Sequence, residues 1–283
     1  MKAKHALVAF TGLCAVLAAF AVTACPVAGA NRGGGEGGEA TVTFESNGGS
    51  AIDPLTVAIG GTIARPTNPT ITPTGANANG RFRNWYTDDG TFEQAFDFSG
   101  RITGDITLYA DWGYRPGDSG PAGGKIIYRS DAGFSILQYN SANTSTGYYL
   151  EAAPQDQGWF YWAVRGGNFE GTNYLHDIGA GRRNTDQILT LMSTAPAASA
   201  ARSASYGGQS DWFLPSYEEL MELHRSRRFF DNLRTLPSQS PFIYWSSSGY
   251  DYQYAWARNF SSSAGTGTTY QNGEYNVRAV RYL

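Results

Sequence analysis

Ser210-Asp211-Trp212-Phe213-Leu214-Pro215-Ser216-Tyr217-Glu218-Glu219-Leu220 (SDWFLPSYEEL) is the stretch on which the reading of this chain turns. Ser216 stands where a helix N-cap is wanted. Glu219, three residues on, completes a capping box, in which each side chain serves the other residue's backbone N–H. Leu220 and Leu223 follow at helical spacing, so this helix has one inward face. Upstream, a second helix is expected to start at Asn184, with Gln187 at its third position and Ile188, Leu189 and Met192 at helical spacing. Around the two helices the texture is that of strands. Ile126-Ile127-Tyr128 and Phe134 to Leu137 read as a hairpin around Asp131-Ala132-Gly133. Beyond Pro237 strands return, closing on Val277, Ala279 and Arg281 in alternation with Arg278, Val280 and Tyr282.

Residues 40–112 have a different rhythm, with short strands and turns and no helical period. Val42 and Phe44 alternate with Thr41 and Thr43 before the turn Asn47-Gly48-Gly49. Pro66, Pro69 and Pro73 break the middle, and Ile106, Leu108, Ala110 and Trp112 share one face of a closing strand. A module this small has a marginal core. Phe44, Trp85, Tyr86, Phe96, Phe98, Leu108 and Trp112 are therefore read as packing residues.

The beginning of the chain addresses it. Lys2 and Lys4 precede an apolar stretch from Ala6 to Val22 that closes on Val22-Thr23-Ala24-Cys25, the parts of an export signal. The competing reading is an uncleaved membrane helix. About 17 residues is the lower edge for a span, and no Lys or Arg cluster follows to stop transfer. Residues 1–24 are thus expected to be a signal peptide. Residues 25–39 (CPVAGANRGGGEGGE) form a Gly-rich tether with a reach of about 20 Å. Across its 283 residues the chain has formal net charge −3, with 21 basic against 24 acidic residues, so no global field favours nucleic acid. Charged residues are only 16%, while aromatics reach 14% and glycines number 35, which fits a β-rich extracytoplasmic protein.

Three resemblances follow from these residues. Val22-Thr23-Ala24-Cys25 is similar to the lipobox of bacterial lipoproteins, which implies a lipid on Cys25 and removes its thiol from disulfide, redox or metal chemistry. TVTFESNGG, RFRNWYTDDG, FDF and DITLYADW, in that order within residues 40–112, resemble the Listeria–Bacteroides repeat, the B-repeat of internalin. That likeness implies a small β-grasp-like surface module without catalytic activity. GDSGPAGGKIIY, YLEAAP, SDWFLPSYEEL, YWSSS, YAW and VRAVR, in order over 113–283, are similar to the C-terminal domain of the Legionella collagen-like adhesin, related to the C-type-lectin-like superfamily. It implies an α+β domain with two helices and a curled antiparallel sheet, and adhesion to a glycan or glycosaminoglycan.

Several constellations carry chemistry, each with a plainer alternative. Gly117-Asp118-Ser119-Gly120-Pro121 looks like a serine-protease nucleophile segment. Its histidine would have to come first in that fold, yet His176 and His224 both follow, so a turn is the better reading. Those two histidines, about 50 residues apart without cysteine partners, do not make zinc spacing, and His224 is expected as a surface charge at a helix end. No metal and no cofactor are expected. Arg182 and Arg183 after Gly179-Ala180-Gly181 form either a turn or an anion site at a helix start. Arg225 and Arg228 share a helical face, as a solvated helix end or as a grip on sulfate or carboxylate groups. Trp159 and Trp162 belong to one aromatic cluster. Tyr250 and Tyr252 belong to another and precede Tyr254 and Trp256; rings of this kind stack on sugars, with core packing as the alternative.

The sequence therefore predicts a surface-anchored lipoprotein whose head, 113–283, is a non-enzymatic adhesin for a glycan or host matrix polymer. An envelope module that binds protein is the first alternative, and an enzyme of the formylglycine-generating type the second. That enzyme's chemistry needs thiols, and 113–283 contains no cysteine. Expected partners are the membrane through the anchor and a glycan, glycosaminoglycan or protein ligand. No nucleic acid is expected, and a trimer is conceivable from the adhesin likeness.

Overall fold

A computed structural model describes residues 37–75, 81–163, 174–233, 242–261 and 267–283. Cys25, the export signal and nearly all of the tether lie outside the described residues.

Residues from Glu39 to Trp112 build one sheet from β1 (Glu39–Glu45), β2 (Leu55–Ala58), β3 (Phe82–Tyr86) and β4 (Ile106–Trp112). Its order is β2-β1-β4-β3, with β1 and β4 parallel at the centre and antiparallel strands outside. That is the expected β-grasp-like order. Every residue read above as packing is in place. Phe44, Trp85, Tyr86, Leu108 and Trp112 are buried, and Phe96 and Phe98 pack against the same cluster.

The second body is α+β. A three-stranded sheet runs β12-β6-β5, from β5 (Lys125–Leu137), β6 (Thr144–Ala152) and β12 (Val280–Tyr282). A five-stranded sheet runs β10-β9-β8-β11-β7, from β7 (Gly158–Phe160), β8 (Ile243–Gly249), β9 (Tyr254–Asn259), β10 (Thr268–Tyr270) and β11 (Tyr275–Val277). Among the described residues three helices pack with them: α1 (Gly181–Leu191), α2 (Pro196–Arg202) and α3 (Tyr217–Arg225), the last followed by a 3-10 turn at Arg227–Phe229.

Four local expectations need correction. The hairpin around Asp131 is a single bulged strand whose partner is β6, with the register slipping between Arg129 and Phe134. Gly133 permits the bulge. It has φ +79°, and a Cβ there would meet Thr146 Cγ2 at 2.5 Å. The first helix starts at Gly181, not Asn184, and no side chain caps it. Asn184 is instead buried within α1, donating to Leu175 O (2.6 Å) and accepting from Leu175 N (3.1 Å). The third helix, α2, escaped the sequence reading because its Ala-rich turns lack an amphipathic signature. The closing alternation also does not run along one strand. Val277 ends β11 in one sheet, Val280 opens β12 in the other, and both faces are buried.

Buried arginines on that closing segment are neutralised locally. Arg278 Nε meets Asp156 Oδ1 at 2.6 Å, and Arg281 meets Asp211 at 2.8 Å and Glu151 at 3.2 Å. The capping box at Ser216 and Glu219 is present as read from the sequence.

Candidate functional site: an aromatic and carboxamide edge

The site grows from the edge of the five-stranded sheet. On β9, Ala255 and Ala257 point into the core, so Tyr254 and Trp256 must point to the opposite face. β10 pairs antiparallel with β9 and sets Tyr270 opposite Tyr254 and Thr268 opposite Trp256. The Tyr254 and Tyr270 rings lie 4.5 Å apart. The Tyr254 phenol holds its proton more tightly than usual, first through its hydrogen bond with Tyr270 and then through desolvation.

The turn before β9 is held by its own side chains. Asp251 Oδ1 accepts the N–H groups of Gln253 (2.7 Å) and Tyr254 (2.8 Å), an Asx-type turn. Gln271, nearly buried, donates from Nε2 to Asp251 O (2.9 Å) and Tyr254 O (3.1 Å), and its backbone N–H reaches Gln253 O at 2.9 Å. Gln271 therefore clamps two turns together and leaves Tyr252 (64% exposed), Tyr250 (62%) and Tyr270 (56%) standing out from a fixed backbone. Between Tyr252 and Tyr270 lies a pocket of about 230 Å³ lined also by Ala163, Gln253, Gln271 and Asn272. Phenol rings with hydroxyl tips beside carboxamides offer flat apolar faces together with donors and acceptors.

A second group of rings adjoins the pocket along β9. Trp256 is in contact with Tyr217 (centroids 4.8 Å), His176 (5.1 Å) and Tyr250 (5.9 Å). The serines of YWSSS hold this group in position. Ser246 Oγ donates to Trp256 O (2.7 Å), and Ser248 Oγ donates to Leu175 O (2.8 Å) while accepting from Tyr217 N (3.0 Å).

The candidates from the sequence separate into clear groups. Tyr250 and Tyr252 are exposed at the site. Trp162 is not available as a ligand contact: it is 1% exposed and donates to Ser246 O at 2.6 Å. It packs in the core, edge-on to Tyr174 at 5.9 Å. Trp159 lies half-buried on β7, opposite Asn276 of β11, and is absent from the described pocket lining.

Of the two readings of Arg182 and Arg183, the turn gives way to a helix start, and the anion site there is filled from within. Glu219 Oε1 accepts from Gly179 N (2.8 Å) and Gly181 N (3.4 Å), so a buried carboxylate already occupies the helix start. Arg182 is exposed, and Arg183 Nη1 donates to Gln187 Oε1 at 3.1 Å. Arg225 pairs with Glu222, and the Arg228 guanidinium lies 4.7 Å from the centre of the Phe229 ring. His224 is buried against Phe260 (5.1 Å), not a surface charge.

Sequence reasoning missed Tyr270, Gln253, Gln271, Asn272, Tyr217 and the placement of His176. The signal for the first of these was Tyr270-Gln271-Asn272-Gly273, a turn that presents an aromatic ring followed by two carboxamides. Among the described residues no cluster of three or more His, Cys, Asp or Glu side chains could hold a metal ion. No helix among them is long and apolar enough to cross a membrane.

Comparison with known proteins now places this architecture. Residues 161–281 match the family model of the Lcl C-terminal domain, and residues 41–111 match that of the Listeria–Bacteroides repeat domain. The resemblances to these two domain families therefore hold, and the pair is that of a surface, adhesin-like protein. A similar protein from Evansella cellulosilytica, named "Putative Gly-rich membrane protein", is 39% identical over 75 residues, which is 26% of this chain. The chain spans only 8% of that relative's length.

Proposed function

We propose that this chain is an exported lipoprotein, anchored through Cys25, whose head binds a glycan at the cell surface without catalysing a reaction. The observation that supports it is the pocket of Tyr252, Gln253, Tyr270 and Asn272, built on a backbone clamped by Gln271. Exposed rings on a rigid turn lose little entropy on binding, which favours recognition of a weakly distinctive, hydroxyl-rich ligand. The Gly-rich tether and the repeat module then act as a spacer. The name of the Evansella relative, a Gly-rich membrane protein, is in keeping with an envelope position.

A glycan array probed with the full chain tests the binding. Tyr252→Ala combined with Tyr270→Ala should remove every positive signal while the melting temperature stays unchanged. An array blank for the wild-type chain overturns the reading. The anchor is tested separately, by mass spectrometry of the peptide that carries Cys25; a free thiol there overturns that part.

A further inference from the structure

We infer that the site reads several consecutive sugars of an unbranched polysaccharide, not a single terminal sugar; this rests on the glycan reading above. At about 230 Å³ the pocket is smaller than the ~300–1,000 Å³ typical of sites that enclose a whole small ligand. It holds one ring of something longer. The aromatic surface does not stop at its rim. Tyr270 and Tyr254 face each other across β10 and β9. Trp256 follows Tyr254 on the same face, about 7 Å along the strand. Against Trp256 stand Tyr217 and His176, at 4.8 and 5.1 Å, while Tyr250 reaches it at 5.9 Å from the turn beside Tyr254, whose carbonyl accepts the Tyr250 N–H.

The row has a direction because two elements impose it. β9 sets Tyr254 and Trp256 in line, and the first residue of α3 sets Tyr217 beyond them. Ser248 fixes that end, since its hydroxyl accepts from Tyr217 N and donates to Leu175 O, next to His176. An aromatic stripe with hydroxyl and carboxamide groups at one end suits a flat chain of pyranose rings. The apolar ring faces would stack along the stripe while one sugar's hydroxyls meet Gln253 and Asn272.

The test is calorimetric titration of the full chain with cello-oligosaccharides and chito-oligosaccharides of one to six units. For the series that binds, Kd should fall at least tenfold between one and four units. Trp256→Ala should cut that gain to less than threefold, and Trp256→Phe should restore part of it. Circular dichroism and thermal melting of each variant show whether it is folded, and Tyr217→Ala gives a second probe of the far end. Equal affinity for one and six units, with binding still lost in Tyr252→Ala, overturns the row and leaves the pocket standing. No binding by either series together with a blank glycan array overturns both.

Discussion

Asp111, next to last on β4, accepts a hydrogen bond from Arg115 Nε at 2.8 Å, and the same carboxylate oxygen lies 3.0 Å from Arg83 Nε. Arg129 of β5 approaches its other oxygen at 3.8 Å while donating to Trp112 O (2.8 Å) and Tyr114 O (3.2 Å). One buried carboxylate thus sits where the repeat meets the head, with guanidinium groups from both sides upon it. Nearby, Asp118 accepts from Arg83 and from the Arg115 backbone N–H (2.9 Å). The repeat is therefore fastened to the head, not merely strung before it.

Asp111→Ala should weaken the protein by about 2–3 kcal/mol. That is below the ~3–5 kcal/mol of a fully buried pair, because the arginines keep contact with water. Differential scanning calorimetry should resolve two transitions, repeat and head, in place of a single one. An unchanged single transition would show that the carboxylate does not couple them.

Glu219 makes a pH prediction. Burial pushes its carboxyl above the ordinary 4.5, and the hydrogen bonds from Tyr282 OH, Ser216 N, Gly179 N and Gly181 N only partly oppose this. A folded-state value raised above the unfolded one gives a contribution that is complete below about pH 4.5 and is lost as pH rises through the folded value. Urea unfolding from pH 4 to 7 should show wild-type stability falling relative to Glu219→Gln, which cannot titrate. The variant is weaker throughout, because its amide N–H₂ meets a backbone N–H. Parallel slopes would remove the titration of Glu219 from the account.

Trp162→Ala should cost about 3–5 kcal/mol in equilibrium unfolding, the range for a large side chain deleted from a packed core. A loss under 1 kcal/mol would return Trp162 to the list of surface contacts.

Arg225 ends α3, about 12 Å along the helix from Tyr217 at 1.5 Å per residue, whereas Arg228 lies in the 3-10 turn beyond it, so the two do not share one helical face as the spacing suggested. Changing both to Ala should alter Kd for any glycan found on the array by less than twofold. Binding should also be nearly insensitive to salt between 0.05 and 0.5 M. A steep salt dependence would bring the arginines into the site, since exposed charges are screened over ~4–14 Å across that range.

Much of the fold was legible because its signals are local. The capping box of Ser216 and Glu219, the period-two face of Leu108, Ala110 and Trp112, and the turn glycines all act over a few residues. Where the reading slipped, a distant partner had overridden a local preference. Asn184 has the chemistry of a cap, yet it is drawn into α1 by Leu175. Asp131-Ala132-Gly133 has the chemistry of a hairpin, yet β6 offers a longer ladder than a tight turn would. In the site, the exposure of Tyr250 and Tyr252 could be read from their place in a loop. Tyr270 and Gln271 could not be joined to them, since they meet only through strand pairing and the Gln271 clamp.

By itself the sequence determined the two kinds of body, their order, and which aromatic residues would fill the repeat, because hydrophobic periodicity and turn chemistry are properties of neighbours in the chain. Tertiary structure alone decided which charges face solvent and which rings do. Glu219 fills the helix start beside Arg182 and Arg183, and Trp162 is core while Tyr252 is surface. Desolvation and close packing depend on residues tens to hundreds of positions away, and no window along the chain contains them.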